Sequence, residues 1–219
     1  MVLILSVVAV SGCAPVERIA PLDQVVEIPD AVLQEKVRDY LGIPERDLLV
    51  RDMERLVQIN LTSRKINDLS GLEYTRRLSQ LYLDDNDIRD ISPLASLDGL
   101  RYLNLNRNRI SDISVLASMT GLKSVSLFSN SIRELQDLRS LENLQTLSLS
   151  DNFITDVSAL SSLPELRDLK LKGNKVEDIS PLLALDGLKK LDIRDNPLND
   201  TSLNRYIPQL ESKGVEVSK

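Results

Sequence analysis

LSQLYLDDNDIRDISPLASL, residues 78–97, is the stretch whose reading decides the fold. Leucines stand at Leu78, Leu81 and Leu83, then comes Asn86, then apolar residues at Ile88, Ile91, Leu94 and Leu97. The arrangement returns every 22 residues, so that asparagine stands at Asn86, Asn108, Asn130, Asn152, Asn174 and Asn196 without a slip. Around Leu81 apolar and polar residues alternate, which is the period of a half-buried strand. Beyond the asparagine the apolar interval is three, as at Ile110, Ile113, Leu116, Met119 and Leu122. That interval suits 3₁₀ turns better than an α-helix. A unit this short cannot bury its own apolar face, so successive units must stack.

The spacing L-x-x-L-x-L-x-x-N in a period of 20–29 residues is the leucine-rich-repeat signature. It predicts an α/β solenoid, a right-handed superhelix of about seven turns starting at Leu56, Leu78, Leu100, Leu122, Leu144, Leu166 and Leu188. Parallel strands about 4.8 Å apart would form its concave sheet, with 3₁₀ turns on the convex side. The asparagine fits the inward bend after each strand, because its amide offers both donors and an acceptor to buried backbone groups. Arg64 takes that place in the first turn, as suits an atypical terminal unit. Aspartates also recur, as in Asp90–Leu94 and Asp178–Leu182. Each is isolated in its own turn, whereas calcium needs six or more convergent oxygens. Turn chemistry with the following serine is the better account.

A stacked repeat needs a cap at each end. The N-terminal cap is expected over residues 28–55, with Asp30 starting a helix that carries Val32 or Leu33, Val37, Tyr40 and Leu41 inward. Gly42 would end this helix, and a second short helix is expected over Pro44–Leu49. The repeats then occupy 56–196 and the C-terminal cap 197–219. Leu203, Ile207 and Leu210 predict a closing helix, Pro208 a kink or new start in it, and Val215–Val217 a last strand. With both caps accounted for, no stretch is left over for a separate catalytic domain.

Residues 28–217 also resemble the internalin family and related bacterial leucine-rich-repeat proteins. The matching pieces are Ile28-Pro29-Asp30, Asp52-Met53 and Asp68-Leu69-Ser70-Gly71-Leu72-Glu73-Tyr74. The resemblance implies architecture above all, and adhesion or host-surface recognition by inheritance. Ahead of it, Val2–Val10 is an apolar run too short to span a bilayer as a helix. Val10-Ser11-Gly12-Cys13 looks like a bacterial lipobox. It implies a signal peptide over 1–12, lipidation of Cys13, a tether over 13–27 and residence in the cell envelope. Ala14 would favour the outer membrane in a bacterium with two membranes. No Lys or Arg precedes the apolar run, which departs from the usual signal peptide. The alternative is a free cysteine behind an apolar leader.

Composition narrows the function. The net charge of −6 argues against a nucleic-acid partner, whose binders carry a basic footprint. With no histidine, the usual general base and commonest metal ligand are missing. A single cysteine allows no disulfide within the chain. No catalytic residues, metal or cofactor are therefore expected, and a monomer is.

Function should lie in the residues that the repeat leaves free on the sheet. The central row runs Asn60, Tyr82, Asn104, Ser126, Ser148, Lys170 and Asp192. Its flanks are Gln58, Gln80, Tyr102, Ser124, Thr146, Asp168 and Lys190, and Thr62, Asp84, Asn106, Phe128, Ser150, Lys172 and Arg194. Tyr82, Tyr102 and Phe128, three of the seven aromatics in the chain, suit anchors for a protein or peptide ligand. Packing across neighbouring strands fits the two tyrosines as well. Asn104 and Ser126 lie among them. Lys170, Lys172, Lys190 and Arg194 form a basic group in the second half, although Asp168 and Asp192 stand close enough in the pattern to pair with them. A scaffolding role without a selective ligand is the alternative.

Overall fold

The computed structural model describes residues 20–219, in which leucine supplies most of the interior and the strands set its order. Seven three-residue strands appear at the L-x-L elements: β1 (Gln58–Asn60), β2 (Gln80–Tyr82), β3 (Tyr102–Asn104), β4 (Ser124–Ser126), β5 (Thr146–Ser148), β6 (Asp168–Lys170) and β7 (Lys190–Asp192). An eighth, β8 (Glu216–Ser218), comes from the C-terminal tail. All pair in parallel, in sequence order, with Ile59, Leu81, Leu103, Val125, Leu147, Leu169, Leu191 and Val217 in one register column. The first seven of these side chains are buried, which is why a shift of one residue is excluded: it would turn the whole column outward.

The backs of the turns are 3₁₀ segments, from Leu72–Tyr74 to Ser180–Ala184, each adding one buried leucine to the core. Five of the six follow aspartate–serine pairs; Gln136–Ser140 has Glu134 and Gln136 in those places. The backbone N–H of Ser92 donates to Asp90 at 2.8 Å, and Ser70, Ser114, Ser158 and Ser180 repeat the bond at 2.7 to 2.8 Å. These carboxylates are thus occupied with their own turns.

The asparagines do what the bend requires, and in a definite direction. Asn86 Nδ2 donates to Leu61 O of the turn before at 2.9 Å and to Leu83 O of its own at 2.9 Å. Its Oδ1 accepts from the N–H of Ile66 at 3.0 Å and of Arg64 at 3.1 Å, again in the turn before. Asn108, Asn130, Asn152, Asn174 and Asn196 repeat the pattern, accepting from Ile88, Ile110, Ile132, Ile154 and Val176. Each asparagine therefore satisfies the preceding turn, and the first turn, with none before it, carries the exposed Arg64 instead. The residue before Arg64 and before each asparagine is left-handed: φ is 57° at Ser63, 57° at Asp85, 51° at Arg107, 56° at Ser129, 53° at Asp151 and 56° at Asp195. Only the sixth turn uses glycine there, Gly173, where a Cβ would collide with Oδ1 of Asp151.

At the N-terminal end, α1 (Ala31–Leu41) is capped by Asp30, which accepts from the N–H groups of Val32 and Leu33, each at 3.0 Å. Its other oxygen accepts from Asn67 N at 3.0 Å, tying the helix to the first turn. Gly42 ends α1 at φ 67°. Leu33, Val37 and Leu41 are buried, but Tyr40 is not: half exposed, it turns its hydroxyl onto the outer edge of β1, accepting from Asn60 N at 3.0 Å and donating to Asn60 O at 3.3 Å. No helix forms over Pro44–Leu49. Leu48 and its neighbours are held extended against residues 22–26, with Val26 N donating to Leu48 O at 2.8 Å and Val50 N to Gln24 O at 3.0 Å. The short helix α2 (Val50–Met53) follows instead. Arg46 grips the buried Asp52 through two bonds of 2.7 Å, and Leu49 N adds a third at 3.0 Å. Residues 20–27 therefore pack onto the cap, with Val26 buried and Val25 bridging Leu49. Cys13 and the rest of the leader lie outside the described residues.

At the other end, the closing helix starts with a wide π turn, Ser202–Tyr206, before α3 (Ile207–Ser212), with Pro208 in its first turn. The π turn corrects one expectation. Leu203 points outward, and Ser202 is the buried residue, its hydroxyl donating to Glu177 O at 2.9 Å and accepting from Ile179 N at 3.2 Å. A leucine at that site could not satisfy those backbone groups.

Candidate binding face

The strands hold the three outward rows in register, so residues 22 apart in sequence become neighbours on the sheet. Of the candidate residues, Tyr102, Lys170 and Arg194 are exposed; Tyr82, Asn104, Ser126, Phe128 and Lys172 are half-buried. Ser150, expected on the face, is buried.

The first half of the face is largely bonded to itself. Tyr82 donates its hydroxyl to Gln80 Oε1 at 3.0 Å, so it is engaged within its own strand. Asp84 accepts from Thr62 at 2.7 Å and from Asn104 at 3.2 Å. Tyr102 carries no such tie among the described residues and is 45% exposed, which makes it the freer of the two tyrosines. Further on, Asn106 accepts from the Ser126 hydroxyl at 2.7 Å and from Phe128 N at 2.8 Å, fixing the residue that carries the phenyl ring. Arg107, from the turn before, lies over that ring at 5.4 Å from its centre.

In the second half, Arg194 chelates Asp192 through Nε at 2.9 Å and Nη2 at 2.7 Å. That guanidinium, first, holds the Asp192 carboxyl below the usual carboxylate range; the Arg194 N–H and the Lys172 charge add to it, against the effect of burial. Lys172 reaches Asp195 at 3.4 Å. Among the described residues Lys170 enters no ion pair. The expected pairing of charges is thus half realised: Arg194 is taken, Lys170 is free.

These elements enclose a depression of about 500 Å³ over β4, β5 and β6. It brings together Ser126, Phe128, Lys170 and Lys172 of the expected set, with the hydroxyls of Thr146 and Ser148 between them. Tyr82, Tyr102, Asn104 and Arg194 lie outside it. No residue here forms an activated nucleophile: Ser126 gives its proton to a neutral amide, and there is no histidine.

One aromatic on the flank of the solenoid escaped the sequence reading. Phe153, 39% exposed, has Arg133 at 5.0 Å and Lys175 at 5.4 Å from its ring centre. It follows Asn152 rather than flanking an L-x-L leucine, so attention to the strand rows passes over it. The visible signal was the column 22 residues apart formed by Asp87, Arg109, Ser131, Phe153 and Lys175.

The geometry is that of a leucine-rich-repeat solenoid, and the comparisons agree. The family described as leucine rich repeats (2 copies) matches at residues 76–118, 99–140, 120–162 and 142–184. Among solved structures the chain is similar to internalin C2 of Listeria monocytogenes, 28% identical over 87% of both chains, with a TM-score of 0.77. It is also similar to an internalin (inlF) of the same species, 29% identical over 83% of this chain, with a TM-score of 0.66. The chain spans 60% of that structure's length. A leucine-rich-repeat protein of Leptospira interrogans shares the fold at 24% identity and a TM-score of 0.65, over 71% of this chain and 40% of that one. A search of curated proteins by sequence found no match. The solenoid is thus internalin-like in its repeats.

Proposed function

We propose that the protein is a non-catalytic binding module, tethered to the bacterial envelope through an acylated Cys13, that recognises a protein or peptide on the open face of its sheet. Leucine-rich-repeat solenoids generally mediate contacts between proteins, and the internalin-like architecture supports the same class of role. The observation that carries the reading is the depression beside Phe128, where an aromatic ring, uncommitted hydroxyls and a free ammonium converge on a rigid sheet. Aromatic anchors beside polar groups that can be desolvated are what binding hot spots are made of.

Crosslinking in the native envelope followed by identification of the attached protein tests this. A partner should be captured by the unaltered chain and lost with the double change Tyr102→Ala and Phe128→Ala. Capture that ignores both changes would leave a scaffolding role in its place. The anchor is tested separately: mass spectrometry of membrane-extracted protein should find acyl groups on Cys13, and a soluble mature chain beginning elsewhere would remove the tether. With two or three acyl chains, each buried CH₂ adding about 0.8 kcal/mol, attachment would be stable.

A further inference from the structure

We propose that the depression over β4–β6 receives an acidic peptide segment of a protein partner, with its carboxylates on Lys170 and Lys172 and an apolar side chain against Phe128. This rests on the binding-module reading and supplies the chemistry of the ligand.

Charge gives the first argument. On β6, Lys170 stands in register between Ser148 and Asp192. Asp192 is the natural partner, but Arg194 occupies it through two bonds, at 2.9 and 2.7 Å. Arg194 therefore acts as a lock: with both Asp192 oxygens held, Lys170 is left without an ion pair among the described residues, with Asp168, Asp192 and Glu216 on its other side. Lys172 has only the exposed contact to Asp195 at 3.4 Å, a weak surface pair that an incoming carboxylate can displace. Arg107, fixed over Phe128 at 5.4 Å and in no ion pair among the described residues, adds a third cation beside the depression. The lining itself holds Lys170 and Lys172 against Asp151 alone. In a chain of net charge −6, such a local excess stands out against the general field.

The floor gives the second. Thr146 and Ser148 are short, uncharged and able to donate or accept, and Ser126, whose proton goes to Asn106, can still accept, so a peptide backbone laid on them can be satisfied group by group. Phe128 supplies one apolar wall, held at its own N–H by Asn106. Hydroxyls for the backbone, ammonium groups for carboxylates and one ring for an apolar residue define an acidic segment with an interspersed apolar side chain.

The test uses the whole chain and a fluorescein-labelled peptide of alternating glutamate and leucine, beside the same peptide with glutamine for glutamate. The glutamate peptide should bind about tenfold more tightly, an advantage that shrinks with added salt. Lys170→Gln with Lys172→Gln should remove that advantage, Lys170→Arg with Lys172→Arg should keep it, and Phe128→Ala should weaken both peptides alike. Equal binding of the two peptides, or no effect of the glutamine pair, overturns the proposal. So does preference for vesicles of anionic phospholipid that the glutamine pair abolishes while the peptides do not bind, since the lysines would then face a lipid surface. If envelope crosslinking captures an aromatic-dependent partner while the two peptides bind alike, the acidic assignment alone fails. If the glutamate peptide binds but no partner is ever captured, the failure lies in the wider reading of function.

Discussion

The N-terminal cap and the repeated turns meet the same demand, buried backbone groups needing partners, by opposite means. The turns use one residue type in one place: six asparagines, each serving the turn before it with nearly the same bonds. The cap uses a different device at every point: Asp30 for the helix start, Arg46 on Asp52 for the loop, and the Tyr40 hydroxyl for the strand edge. What the difference teaches is that periodicity can only solve problems that recur. The first turn has a neighbour on one side alone, and the chain there is held by contacts that occur once.

The comparison predicts a graded response. Asn130→Ala should be the most damaging change, about 3 kcal/mol, because it strands Ile110 N in the interior and takes one of two asparagine donors from both Leu105 O and Leu127 O. Asn196→Ala should cost roughly 1–2 kcal/mol, as its bonds are less buried. Arg64→Ala, at the equivalent place in the first turn, should stay within about 0.5 kcal/mol in the same urea titrations, since no turn depends on it. Equal losses at residues 64 and 130 would break the directional account of the asparagines.

In the cap, Arg46→Gln should cost about 2 kcal/mol, leaving the buried Asp52 carboxylate with one backbone donor. The same pair predicts a pH dependence. Arg46 above all, with Leu49 N and the charge of Arg51, holds Asp52 below its ordinary value of 3.8, against burial. A depressed carboxyl stabilises the folded state above its unfolded-state value, and that stability is lost as pH falls through the folded one. Thermal melts should therefore show the natural chain losing an advantage over Arg46→Gln as pH falls below 3.8. Tyr40→Phe should cost about 1 kcal/mol and speed hydrogen exchange at Asn60, whose N–H it would leave without a partner. Smallest is a gain: Ser129→Gly should stabilise by about 0.5 kcal/mol, since the left-handed strain removed exceeds the freedom glycine adds to the unfolded chain.

The periodic part of this molecule was legible in its sequence. The strand positions, the parallel order, the 3₁₀ backs and the asparagine's role all follow from residues that repeat, because each repetition is another sampling of the same constraint. The cap was legible only where a local rule applied, as at Asp30 and Gly42. The extended loop over Pro44–Leu49 depends on residues 22–26, distant in the chain, and on Arg46 reaching the buried Asp52 beyond the loop, so local spacing points to a helix instead. Ser202 went unseen for a similar reason: its partners, Glu177 and Ile179, belong to another turn. On the face, the rows were readable, but which charges neutralise one another was not. Asp192 could have met Lys170 or Arg194, and the guanidinium of Arg194 takes both of its oxygens.

The left-handed column before the asparagines has a bearing on how such a protein can change. Six of its seven members carry side chains where glycine would sit without strain. Three of them border the binding face: Arg107 over Phe128, Asp151 in the lining of the depression, and Asp195 against Lys172. A duplicated turn would arrive with its interior already matched to its neighbours and this one position open to revision. Ligand preference could then drift along the rim, one substitution at a time, while the stack beneath remained the same object.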